Sequence, residues 1–310
     1  MSPSPIAPFP LEDLPQAVAW ISEITGVERG EVQRRLRQEH ARLGANVEEA
    51  MQRDGVEPYQ FSDKLAALYA ATDSFLYETY TWNRYPTKQK MRKWIIEFLK
   101  AKRGQPLRVL AFGDGLGFDA GGLALAGHDV TYFEVGERSI AFAKRVFEAN
   151  QIAVTMCSQP ENLPHESFDA IMCLDVLEHV PQPAELVKKL VPHLKTGGYF
   201  IVHAPFWYLH PNVSTHLKAN LKYSGEWKQL YGTAGLTPVS AELAWNPLVL
   251  VKNDASQRMP FFPALSFRAG QALLGFSRYW NWPLIAISQT IIRSERRKLL
   301  KSSGYLNENK

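Results

Sequence analysis

The sequence predicts an α/β protein: a seven-stranded, mostly parallel sheet with helices on both faces, plus a helical N-terminal region and a helical C-terminal extension. Three observations predict it. Between residues 107 and 253, short β-branched runs alternate with amphipathic stretches, the pattern of a parallel sheet covered on both sides. The first of these runs opens into Gly113, Gly115 and Gly117, and a helical pattern follows at once. Residues 1–104 carry only helical spacing, whereas residues 254–310 turn aromatic and then basic.

The elements follow in order. Helical periodicity covers residues 11–25, 27–43 (closed by Gly44), 61–80 and 88–102. In the last of these Met91, Trp94, Ile95 and Phe98 form one face, and Gly104 breaks the pattern. Strands are expected at 107–112, 129–134, 153–156, 169–174 and 199–203, with a closing pair at 238–244 and 248–251. Helices fill the gaps at 119–126, 138–150, 184–194 and 213–234. The chain thus divides into a helical cap region (1–104), a ligand-binding α/β domain (105–253) and an aromatic and basic extension (254–310).

The bulk properties exclude several classes. An apolar content of 45% supports a packed core, and a net charge of +4 from 35 basic and 31 acidic residues is too small to argue for nucleic acid. Cys157 and Cys173 lie in strand-like runs and offer neither a disulfide framework nor a CxxC or Cys/His metal spacing. They read as buried free thiols in a reducing, cytoplasmic compartment, and no metal is expected. The proline-rich start lacks the basic residues and apolar run of a signal peptide. No uncharged apolar stretch reaches the roughly 18 residues a membrane-spanning helix requires.

The strongest local signal is RVLAFGDGLGFDA, residues 108–120. Glycines there permit positive φ and close approach of a ligand to the backbone, and the amides of the helix start attract a polar group. Glu134 closes the next strand about 20 residues on, where a carboxylate can accept both hydroxyls of a ribose. Together they imply a nucleoside ligand without choosing it, because residues 115–120 also fit the GxGxxA dinucleotide fingerprint.

Downstream segments separate the two. ENLPHESFDAIMCLDVLEHVPQP (161–183) and LVPHLKTGGYFIVHAP (190–205) follow the glycine turn in order. With VLAFGDGLG, this set resembles the class I S-adenosylmethionine-dependent methyltransferases, in particular the small-molecule branch of quinone and sterol methyltransferases. The likeness covers about a third of the chain and implies a Rossmann-like domain, S-adenosylmethionine as cofactor and S-adenosylhomocysteine as product. It implies cofactor contacts from Gly113, Asp114, Gly115, Gly117 and Glu134, an adenine site at Ser158, Gln159 and Pro160, and a methionine floor at Leu174 and Asp175. The family often has an acidic residue two positions before the first glycine, where this chain has Ala111. Asp114 either takes over a polar contact to the methionine end or caps the turn.

The sulfonium is already activated, so such a protein must mainly position a nucleophile and exclude water. An oxygen or nitrogen nucleophile also calls for a base, and His179, His203 and His210 follow strands four and five at the ligand side of the sheet. Glu178 reads as a helix-start or surface carboxylate. Tyr80, Trp82, Tyr85, Phe206, Trp207 and Tyr208 are candidate walls of an acceptor site, suited to an apolar or aromatic small molecule, or core residues joining the helices to the sheet. Arg84 and Lys88 read as exposed helix charges or as partners of the cofactor carboxylate. In the extension, Arg293, Arg296, Arg297, Lys298 and Lys301 follow an apolar stretch from residue 263. That pattern suits packing on the domain or on a second copy, or peripheral contact with an anionic membrane through 263–301. Two other functions stay open: different chemistry on the same cofactor, such as intramolecular displacement at the methionine chain, and a non-catalytic cofactor-binding module.

Overall fold

A computed structural model describes residues 4–103, 106–241, 247–254, 256–257 and 259–305. Six helices come first: α1 (Leu14–Thr25), α2 (Arg29–Ala41), α3 (Ala45–Asp54), α4 (Asp63–Ala71), α5 (Ser74–Arg84) and α6 (Pro86–Arg103). The expected helix over 61–80 is two helices. Thr72 and Asp73 interrupt it, and the Thr72 hydroxyl accepts from the Ser74 amide at 3.1 Å to start α5 afresh. Sequence periodicity missed α3, a short helix set between Gly44 and Gly55, both in the left-handed region. Gly104 lies outside the described residues.

The sheet follows: β1 (Arg108–Phe112), α7 (Phe118–Leu125), β2 (Asp129–Phe133), α8 (Glu137–Ala149), β3 (Thr155–Cys157), β4 (Phe168–Leu174), α9 (Pro183–Leu190) and β5 (Leu194–His203). A short α10 (Trp227–Leu230) precedes β6 (Leu236–Ala241) and β7 (Leu248–Lys252). The strand order is β3-β2-β1-β4-β5-β7-β6, parallel except for β7, which runs antiparallel to both β5 and β6. The predicted closing pair is there, although residues 242–244 of its first strand lie outside the described residues. The expected helix over 213–234 is instead a series of short turns around α10. Gly225 explains part of this. Its φ is +73°, and a side chain there would meet the backbone oxygen of Gln271 at 2.3 Å.

Strand alternation sorts the core into two faces. Val109, Ala111, Val130, Tyr132, Ala170 and Met172 point to the side covered by α1, α2, α6, α7 and α8. Leu110, Phe133, Ile171, Cys173, Phe200 and Val202 point to the other side, against Leu177, Val187, Leu190 and Leu230. Fully burying one such side chain contributes about 1.5–3 kcal/mol. The N-terminal helices share the first core with the sheet, which places their ends over the rim where the strands stop. Ala111 is one of these core residues, fully buried. Cys173 is buried and Cys157 only partly so, and both are free.

The chain ends in α11 (Phe261–Ser277) and α12 (Trp282–Ser302). The inner face of α12 buries Leu284, Glu295 and Leu299; Glu295 accepts from the Thr87 hydroxyl at 2.8 Å. The outer faces remain bare: Phe261, Phe262, Phe276, Tyr279, Trp280 and Trp282 are all exposed. No helix among the described residues is long and apolar enough to cross a membrane.

Candidate active site

β1 ends at Phe112, and the turn after it lies at the carboxyl ends of the parallel strands, where open α/β sheets hold their ligands. Gly113 has φ +70°, and a Cβ there would come within 2.6 Å of Val176. Gly117 has φ +78°, and a Cβ there would meet Ala143 at 2.8 Å. Only glycine serves at either position.

Asp114 caps. Its carboxylate accepts from the amides of Asp119 (3.1 Å) and Ala120 (2.7 Å), tying the turn to the first turn of α7. Burial and the charge of Asp119 push its pKa up to about 8, against the pull of the Ala120 amide, Lys88 and Arg92. Glu134 bridges the neighbouring strand ends. One oxygen accepts from the Gly115 amide at 3.0 Å, the other from Val135 (2.7 Å) and Gly136 (3.0 Å).

A buried charge network stands beside the turn. Lys88 Nζ lies 2.9 Å from Asp119 and 3.0 Å from Asp175. Arg92 adds a 2.7 Å contact to Asp119. Lys88 is therefore not the exposed helix charge its sequence context suggested; it is 3% exposed. Burial would discharge it, but the two carboxylates hold its pKa up. Arg84 is also buried, yet it donates to Ser303 at 2.9 Å, away from the turn.

Asp175 is the hub. It takes a left-handed conformation (φ 58°) just past β4. One carboxylate oxygen accepts from Trp82 Nε1 (2.9 Å) and Lys88, and the other meets His203 Nδ1 at the end of β5. Burial would raise its pKa, but Lys88 and His203 hold the carboxyl well below the usual range. An aspartate hydrogen-bonded to one ring nitrogen of a histidine fixes the orientation of that ring.

All of this opens on one cavity of 1040 Å³. Of the sequence-chosen residues, Gly113, Asp114, Gly115, Glu134, Pro160, Leu174, Asp175, His179, His203, Trp82 and Tyr208 line it. Gly117 is off the lining, packed against Ala143 and Phe147. Ser158 and Gln159 are exposed and stand apart from the lining, as does His210, whose Nδ1 accepts from the Asn212 amide at 3.2 Å. Tyr80, Tyr85, Phe206 and Trp207 are also off the lining and belong to the core. The Tyr80 hydroxyl, for example, donates to the carbonyl of Leu11 at 3.1 Å. Sequence reasoning missed Tyr69 and Phe75, stacked with centroids 4.7 Å apart, and His216, which was read as part of a helix. It also misplaced Glu178, which is 1% exposed rather than on the surface.

The methyltransferase-domain family matches residues 110–202, the stretch from β1 to β5. Residues 110–202 are thus similar to a methyltransferase domain. Over 136 residues the chain is 31% identical to a ubiquinone biosynthesis O-methyltransferase of Marinobacter nauticus, covering 39% of this chain and 56% of that protein. A protein of the same description from Paramagnetospirillum magneticum is 34% identical over 97 residues, 31% of this chain and 39% of its own length. A solved S-adenosylmethionine-dependent methyltransferase from Aquifex aeolicus is 17% identical and covers 54% of this chain and 91% of that one, with a TM-score of 0.43. The chain spans about half the length of the curated relatives it matches. The matched region contributes the glycine turn, Glu134 and Asp175, and His203 follows directly on its end. The regions outside the match contribute Trp82, Lys88, Tyr208 and His216 to the same cavity.

Proposed function

We propose that this chain transfers a methyl group from S-adenosylmethionine to an oxygen or nitrogen of a small apolar or aromatic acceptor. One observation carries the reading: a glycine turn with a strand-end carboxylate and an aspartate–histidine pair share one cavity. The cavity residues fit the cofactor. Gly113, Gly115, Glu134 and Pro160 line the same end of the cavity, where an adenosine would lie. When bound, the cofactor supplies an electrophilic methyl. The chain's own residues do the rest. Glu134 exchanges its backbone partners for ribose hydroxyls, and Asp175 fixes the ring of His203, whose other nitrogen takes the acceptor's proton. Trp82, Tyr208, Tyr69 and Phe75 give the acceptor apolar walls. The relatives' description as O-methyltransferases supports an oxygen acceptor of the quinone-biosynthesis kind.

The test is incubation with methyl-labelled cofactor and a panel of hydroxylated aromatics. Labelled product with S-adenosylhomocysteine is expected; methylthioadenosine instead would favour displacement at the methionine chain, and no turnover the binding module.

The C-terminal helices favour a place of action. On α12 Trp282, Ile287 and Ile291 are exposed, as are Arg293, Arg297, Lys298 and Lys301 further along, and the turn before the helix adds the exposed Tyr279 and Trp280. Exposed aromatic and basic side chains complement an anionic bilayer, which is where an apolar acceptor would be met. Sedimentation with vesicles should show binding to anionic but not neutral lipid, lost in Trp280→Glu/Trp282→Glu. A salt-insensitive dimer sealing this face would overturn it.

A further inference from the structure

Helix α5 turns its two faces to two environments. Leu76, Tyr77 and Tyr80 enter the core shared with the sheet, while Phe75, Glu78, Thr79 and Trp82 line the cavity. Spacings of three and four residues place Phe75, Glu78 and Trp82 along one helical face. Tyr69 of α4 lies flat on Phe75, with ring planes 10° apart. The Glu78 carboxyl therefore has an aromatic pair about one turn before it and an indole about one turn after it.

Among the described residues, no hydrogen bond and no ion pair reaches that carboxyl. The one lysine of the lining, Lys88, is held between Asp119 and Asp175. The one arginine, Arg138, donates to the carbonyl of Ala71 at 2.7 Å. Glu39 on α2 adds a like charge rather than a partner, and its own carboxylate accepts from the amide and the side chain of Asn46 at 3.1 and 2.6 Å. Burial and that like charge push the pKa of Glu78 up to about 8. Burial also holds Tyr69, which feels the charge of Glu78, as the neutral phenol. A carboxyl without a donor among apolar rings keeps its proton unless a cation arrives. The lining favours a cation: seven acidic residues face the cavity against Lys88 and Arg138, and aromatic faces attract positive charge.

We propose that Glu78, with Tyr69, Phe75 and Trp82 about it, binds an ammonium group carried by the methyl acceptor. The acceptor class is then an aromatic hydroxyl compound with a basic amine arm, its hydroxyl toward His203 and its amine toward Glu78. In its role the site rests on the methyl-transfer reading, but its occupation is measured without turnover.

The probes are three phenols of one shape, bearing an aminoethyl, a hydroxyethyl or a carboxymethyl arm. Calorimetry on the full chain, saturated with S-adenosylhomocysteine, should rank the amine at least about tenfold tighter than the alcohol, with the carboxylate weakest. Pairing with the ammonium makes Glu78 give up its proton, so amine binding at pH 7 should release close to one proton, read as heat that scales with the ionisation enthalpy of the buffer. The alcohol should release none. Glu78→Gln should weaken the amine by about tenfold to a hundredfold, abolish the proton release and leave the alcohol nearly unchanged. Retained affinity for S-adenosylhomocysteine shows the variant folded, and the ranking of the three arms needs no variant. Equal affinity for the three phenols, or amine binding without proton release, overturns the site. So does a variant that loses S-adenosylhomocysteine and keeps the amine, which would give Glu78 to the cofactor. An amine bound with its proton release but never methylated leaves the site standing and sinks the methyl-transfer reading. Methyl transfer to amine and alcohol at equal affinity does the reverse.

Discussion

The glycine-turn end of the cavity and the histidine end are built in opposite ways. At the first, backbone does the work: Gly113, Asp114, Gly115 and Glu134 come from two adjacent strand ends, 19 residues apart where Glu134 accepts from Gly115. At the second, side chains do the work, and they come from α4, α5, the turn after β4 and the loop after β5; Tyr69 and His179 meet across 110 residues. Local backbone geometry writes itself into contiguous sequence. A cluster gathered by packing does not. A pair such as His179 and His216 leaves no spacing that a motif could record.

If the histidine end houses the chemistry, the largest effect belongs there. His203→Ala should lower kcat by about 10²–10⁴, the range for a lost general base, with little change in cofactor affinity. Measuring both on one preparation sharpens the comparison. A loss confined to cofactor affinity would merge the two ends into one.

The next effect tests what joins them. Lys88 lies between Asp119 under the glycine turn and Asp175 beside the histidines. Lys88→Met leaves the Asp175 carboxylate buried with only Trp82 and His203 and should destabilise the fold by about 3–5 kcal/mol, read by urea unfolding. A change below about 1 kcal/mol would mean that water replaces the ammonium and the ends are independent.

A smaller effect belongs to the glycine-turn end. Glu134→Ala removes a charged acceptor of two hydroxyls and should weaken cofactor binding by about 1.5–3 kcal/mol in calorimetry. Unchanged affinity would break the assignment of that end to the ribose.

The same contrast explains how much was legible beforehand. Short β-branched runs marked β1, β2, β4, β5 and β7 because strands covered on both faces are apolar nearly throughout. The stretch 213–234 was misread because its apolar residues have helical spacing while Gly225 must sit against the backbone of α11. Lys88 and Glu178 look like surface charges in sequence, and only tertiary packing shows what surrounds them. Tyr80 and Trp82 show the limit at its finest. Two positions apart on α5, one ties down the N-terminal segment and the other reaches Asp175. Helical phase separates them, but which phase faces the cavity is decided by the sheet.

The smallest effect asks whether the glycine-turn end also depends on charge. Asp114 has its pKa raised from an ordinary 3.8 to about 8, chiefly by burial. The folded state then keeps a proton that the unfolded chain has released between those values, so this group's contribution to stability falls as pH rises from about 4 to about 8 and is level above. Asp114→Asn removes the titration. The stability of the native chain minus that of the variant should therefore decline across pH 5–8, by less than about 1.4 kcal/mol per pH unit because the carboxyl is partly open to the cavity. A difference that stays flat would show the carboxylate ionised throughout, held by the amides of Asp119 and Ala120. The cap would then be a charged bond to a helix start, and the glycine-turn end would rely on electrostatics as much as the histidine end does.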